Sequence, residues 1–294
     1  MTLTAYGGFF TMSVNVQNRI IEGIKIRDLL HRKVMEYLET RTVCPGNMIE
    51  TDGIKIRVTD LSSLPNLRWS PEPLLEALLS GPGKGSRDEI RRLTEFRKRD
   101  DFSRDRWDRY QNLLQENLDR ICTGYSYCNV NLCDFDSLKK LFMLMIPGKQ
   151  HLADALRREM DTSGYITHER FREIMGRNYQ TVFPVVNVSC GLNVNSLSKP
   201  VLTCVLQWLP GIADPETAAD KICTLRDEAP LEESGLRRIL AGGGEVSPRI
   251  FSVLGTETWF YKITADGRGR KLTVVAALIP GAVSRWKIIR EKYQ

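Results

Sequence analysis

Leu192-Asn193-Val194-Asn195-Ser196 carries the triplet whose recurrence decides the fold, for Asn129-Val130-Asn131 stands 64 residues before it. After each triplet comes an apolar stretch: Leu138, Leu141, Phe142, Leu144 and Ile146 in one, Val201, Leu202, Val205, Leu206 and Leu209 in the other. Each stretch runs into a Pro-Gly pair, Pro147-Gly148 or Pro210-Gly211, where glycine supplies the positive φ that a tight reversal needs. A small-residue helix follows, with Ala153 and Leu156 or Ala218, Ile222 and Leu225, and arginine near its end, as Arg157 and Arg158 or Arg226. A turn and a last amphipathic segment close each unit, through Phe171, Ile174 and Met175 or Leu236, Ile239 and Leu240. Self-similarity at this period predicts a repeated helix, hairpin, helix, turn, helix unit.

A fainter copy precedes both. Asn66 lies 63 residues before Asn129, Leu74, Leu75, Leu78 and Leu79 lead to Pro82-Gly83, and Ile90, Leu93 and Arg97 match the second helix. Phe102, Trp107 and Tyr110 match the third. Residues 66–118, 129–178 and 193–242 are therefore expected to superpose, with Trp107, Phe171 and Leu236 at equivalent core positions.

Outside the units the pattern changes period. Val14 to Leu38 reads as a helix with Ile20, Ile24, Leu30, Val34 and Leu38 as its apolar stripe. Ile54 to Val58 alternates as a strand, and Thr181 to Val188 is Val-rich and β-like. The C-terminus reads as a meander over Trp259–Thr264, Leu272–Ile279 and Arg285–Arg290, with turns at Asp266-Gly267-Arg268-Gly269 and Pro280-Gly281. The fold class is α+β: a long N-terminal helix packed on an antiparallel sheet, with helical units inserted.

Composition excludes several classes. Hydrophobic residues are 42% and charged residues 27% of 294, which rules out intrinsic disorder and a low-complexity fibre. The net charge of +6 is a mild excess at this length and gives no strong case for a polyanionic partner. No apolar run approaches 18 residues, so the chain encodes no transmembrane helix. Among seven cysteines, Cys122, Cys128 and Cys133 form the one cluster, at intervals foreign to zinc sites and without a nearby His. Buried thiols are expected, or one or two disulfides if the chain is exported.

Two motifs invite chemistry and fail on spacing. Leu209 to Ile222 resembles a helix-hairpin-helix module, but Ala213 replaces the second hairpin glycine, and Asp214 and Glu216 would repel a phosphate at the next helix N-terminus. Nucleic acid is not the expected partner. Asp161 to Phe171 hints at a calcium loop, yet its glycine is fourth rather than sixth and the loop is too short. His31, His151 and His168 stand apart, no nucleophile elbow, phosphate loop or HExxH pattern occurs, and no catalytic residue is expected.

Together these pieces resemble the type II secretion minor pseudopilin K family (general secretion pathway protein K), over nearly all of the chain. Val58-Thr59-Asp60 running to Asn66-Leu67 is similar to that family's strand, "D-E-S-G" turn and "N-L-N". Leu192 to Ser196 with Val201-Leu202, Ala218, Ile222 and Arg226 is similar to "I-N-V-N-T-A…V-L…A…I…R", and Ser252 to Ile263 to its "S-x-x-F" strand. The resemblance implies a pilin-like fold with an inserted α-domain, a place at the pseudopilus tip beside other minor pseudopilins, and an inner-membrane anchor with the bulk periplasmic. No cofactor is expected; the resemblance leaves calcium open, with ligands that the sequence does not identify. On this reading 1–62 hold the helix and first strand, 63–180 an inserted domain of two units, and 181–294 a strand, the third unit and the meander. Gly8-Phe9 does not open an apolar helix, so the anchor is expected upstream or missing. Phe9, Phe10, Val14, Ile20, Ile21 and Ile24 are the candidate partner-binding residues, because they exceed what one sheet face covers. Asn129, Asn131, Asn193, Asn195, Pro147, Gly148, Pro210 and Gly211 are the repeat signature. The competing reading is a competence-like helix-hairpin-helix DNA-binding protein of the cell envelope, since such receptors share the third-unit signature.

Overall fold

The computed structural model describes residues 22–38, 48–82, 85–99, 122–124, 126–241, 247–278 and 286–294. Phe9, Phe10, Val14, Ile20 and Ile21 lie outside the described residues, as do Gly83, Phe102, Trp107, Tyr110 and Cys44. The chain forms two compact units, one from 1–59 and 261–294, the other from 60–260.

In the first unit a helix over 22–38 covers an antiparallel sheet. The sheet strands are β1 (Met48–Thr51), β2 (Ile54–Asp60), β7 (Phe260–Gly267), β8 (Arg270–Leu278) and β9 (Trp286–Tyr293), in the order β1-β2-β7-β8-β9. Alternation dictates the packing: Ile54, Ile56 and Val58 point inward and Lys55 and Arg57 outward. They meet Ile263, Ala265, Leu272, Val274 and Ala276 beneath Ile26, Leu30, Val34 and Leu38 of the helix. The helix stripe differs from expectation at one place. Ile24 is 51% exposed and Ile26 takes the buried position, which keeps the i, i+4, i+8 series of Leu30, Val34 and Leu38 in phase. Met48-Ile49-Glu50-Thr51 is too short to show a period, and the structure adds it to the sheet as β1. It is paired through Asp52-Gly53, both at positive φ, in a two-residue reversal. Among the described residues no helix is long and apolar enough to cross a membrane.

The second unit contains the repeats. The first has helices Glu72–Ser80 and Arg87–Lys98. The second has Phe135–Met145, His151–Ser163 and His168–Met175, and the third Lys199–Trp208, Pro215–Glu228 and Glu233–Ala241. The reversals after Pro147 and Pro210 carry Gly148 and Gly211 at φ 77° and 88°, a region open to glycine. Phe171 and Leu236 are both fully buried, as their equivalence requires.

Several expectations are corrected. The division at residue 180 does not coincide with the compact units: the third repeat shares one core with the first, where Leu74, Leu75 and Leu78 pack with Val201, Leu202 and Val205, while the second keeps its own around Phe142, Leu156 and Phe171. Thr181 to Val188 is not a strand but a short helix, Tyr179–Val182, a turn and the two-residue strand β4 (Val186–Asn187). Likewise Ser252 lies in a helix, Pro248–Val253, so the stretch to Ile263 is interrupted; Pro248 sits in its first turn, where a missing N–H is tolerated. Leu144 leaves the apolar face and is 60% exposed, because residues 138, 141 and 142 already fill the inward stripe.

Candidate functional site

The residues the repeat placed in one pattern occupy one geometry. Each unit begins with a short parallel pairing between its first Asn and a segment that follows the unit: Asn66 with Thr123, Asn129 with Asn187, and Asn193 with Gly255. The last two pairings belong to β3 (Cys128–Asn129) with β4, and β5 (Leu192–Asn193) with β6 (Leu254–Gly255). In each case Oδ1 accepts the backbone N–H two residues on, at 2.8 Å from Arg68, 2.9 Å from Asn131 and 3.0 Å from Asn195. That is the local turn a short amide side chain makes. The free Nδ2 then reaches the closing segment or a neighbouring unit. From Asn66 it donates to Ser126 Oγ; from Asn129 to the carbonyls of Cys190 and Ser252; from Asn193 to Asp60 Oδ2 and Thr258 Oγ1.

The second asparagine has a different task. Asn131 Oδ1 accepts the N–H of Ile166 at 2.7 Å while its Nδ2 donates to the carbonyl of the same residue at 3.0 Å. Asn195 treats Leu231 identically, at 2.8 and 3.0 Å, and adds a bond to the carbonyl of Thr256. Both targets sit in the turn before a third helix. An amide is the one uncharged side chain that offers acceptor and donor side by side to a single peptide group. The first unit has Arg68 at this position, a side chain that donates but cannot accept. Arginines add a tie of their own: Arg97 Nε donates to the carbonyl of Arg68, and Arg226 donates to the carbonyls of Val194 and Leu197.

Asp60 completes the third node. It is 3% exposed, and its carboxylate accepts from the N–H of Ser62 at 2.8 Å, from Asn193 at 2.6 Å and from Thr258 at 2.7 Å. Burial raises its pKa, and the hydrogen bonds from Thr258, Asn193, Ser62 and Ser196 oppose that rise in part. Ser62 Oγ in turn accepts the N–H groups of Trp259 and Phe260. The sequence places Asp60 in a motif but shows no role for it. Its partners lie 133 and 198 residues away, and no periodicity links them.

These nodes organise backbone rather than chemistry. Burial pushes the Cys122 thiol up to about 12 and raises Cys128 and Cys190 as well, so none is a ready nucleophile. His168 is engaged with Tyr179 Oη at 3.0 Å and packs edge-on against Tyr179 and Phe183. At the third hairpin Asp214 caps its helix, accepting the N–H of Thr217, so a carboxylate already occupies the place a phosphate would take. Among the described residues no three His, Cys, Asp or Glu side chains converge, and 161–171 is a helix end, with Gly164 at φ 74°, followed by a new helix capped by Thr167. Of the candidate partner-binding residues, Ile24 alone is described, and it faces outward.

The fold is thus of a mixed class: a helix backed by an antiparallel sheet whose chain is interrupted, between β2 and β7, by a body of repeated helical units. The chain matches no protein-family model, nor any curated protein. Among solved structures it is similar to a chain of the GspK–GspI–GspJ complex from the type 2 secretion system of enterotoxigenic Escherichia coli, at 12% identity and a TM-score of 0.40, over 96% of this chain and 99% of that one.

Proposed function

We propose that this chain is a structural, non-enzymatic subunit: a minor pseudopilin at the tip of a type II secretion pseudopilus, which helps to initiate assembly and protein export. The observation that carries the reading is topological. Neighbouring strands β2 and β7 of a helix-backed sheet are joined through the whole 60–260 body, so a small helix-and-sheet scaffold carries a large insert, the arrangement this reading calls for. The sequence resemblance supports it, because Asp60, Asn66, Asn193 and Asn195, quoted for that resemblance or its repeat, are the residues that tie the insert together. On this reading the protein is anchored in the inner membrane by an apolar helix, exposes its bulk to the periplasm, and binds other minor pseudopilins along the outward side of helix 22–38.

Co-expression with minor pseudopilins of a type II secretion system from the same genome tests the proposal. A stable complex that Ile24→Asp disrupts is expected, with the melting temperature of the isolated variant unchanged. Failure of the unaltered chain to co-purify with any of them would refute it.

A further inference from the structure

We propose that the cavity beside the first two repeat nodes is a binding site for one ordered water molecule. Ser62, Asn66, Ser70, Ser126 and Asn129 supply its polar wall, and Trp69, Tyr127 and Trp259 part of its aromatic wall. Its volume is about 20 Å³, enough for a single water.

The argument begins at Ser70. The residue is 1% exposed, yet its Oγ has no hydrogen-bond partner among the described residues. Its N–H is already taken by the carbonyl of Asn66 at 2.9 Å. Buried hydroxyls in native proteins are satisfied by protein or by water, and this one borders a space of water size. The other wall groups can complete the coordination. Asn66 Oδ1 accepts one bond, from the N–H of Arg68, and keeps a second lone pair. Ser126 Oγ accepts from Asn66 Nδ2 and donates to the carbonyl of Tyr127, which also leaves it one lone pair. A water that donates to these two oxygens and accepts from Ser70 Oγ makes three bonds, the usual number for a buried site. It adds a second link between Asn66 and Ser126, which Asn66 Nδ2 already joins directly, and draws Ser70 into the same node.

Ser70→Ala separates the two cases, because they predict opposite signs. If Ser70 holds a water, its removal breaks a three-membered network and lowers the melting temperature by about 2–4 °C. A hydroxyl buried without any partner would be relieved by the same change, and the melting temperature would hold or rise. The second measurement is a crystal structure of the unaltered chain, where electron density for a water at hydrogen-bond distance from Ser70 Oγ is expected. A melting temperature that does not fall, or a well-ordered cavity without that density, overturns the proposal.

Discussion

Replacing Asn131 by alanine tests whether the repeat signature is a set of backbone clasps. Asn131 is 1% exposed, and it satisfies both the N–H and the carbonyl of Ile166, itself fully buried. Alanine leaves these two peptide groups without partners, and water has no route to them. Each stranded buried group costs about 1–3 kcal/mol. Relaxation of the turn before helix His168–Met175 recovers part of this, so the net loss should be about 2–4 kcal/mol. For a unit of this size that lowers the melting temperature by roughly 4–16 °C. Asn131→Asp should be no better, since it restores the acceptor for Ile166 N–H but sets a buried carboxylate oxygen against the Ile166 carbonyl. Urea denaturation followed by circular dichroism, with midpoint and slope fitted for each variant, gives the values directly. A loss below about 0.5 kcal/mol for Asn131→Ala, in the range of an ordinary surface change, would refute the clasp.

Other outcomes follow from neighbouring features. Asp60 has a folded pKa above its unfolded value, so the native state holds its proton more tightly than the unfolded chain. Its contribution is therefore greatest below about pH 4 and is lost as pH rises through the folded value. The stability advantage of the unaltered chain over Asp60→Asn should then shrink from pH 3.5 to 7, and thermal melts showing it widen would contradict the buried-carboxylate account. Phe171→Ala and Leu236→Ala empty equivalent fully buried positions and should cost about 3–5 and 2–5 kcal/mol in chemical denaturation; two losses below 1 kcal/mol would undo the equivalence. Gly191→Ala places a methyl 2.8 Å from the Val253 carbonyl oxygen and 3.0 Å from the Gly255 nitrogen. Backbone on both sides cannot yield, so about 1–3 kcal/mol should be lost, with faster amide exchange across β5 and β6; protection equal to the unaltered chain would show the contact to be slack.

The sequence by itself determined what is local and periodic. Alternation in Ile54-Lys55-Ile56-Arg57-Val58 marks a half-buried strand, three- and four-residue spacing marks the helices, and Pro147-Gly148 and Pro210-Gly211 mark the reversals, because each signal rests on sterics or on one buried face. The recurrence of Asn-Val-Asn marks two units, and Asn66 with the leucines after it marks a fainter third. Tertiary structure alone decided which units share a core, where the compact units divide, and what the asparagines do. Residues 66, 129 and 193 close their turns locally but are paired with 123, 187 and 255, and such partners carry no period that links them. Asp60 is the clearest instance. A carboxylate at the end of a strand reads as a solvated residue until Asn193 and Thr258, far along the chain, are brought against it and water is excluded.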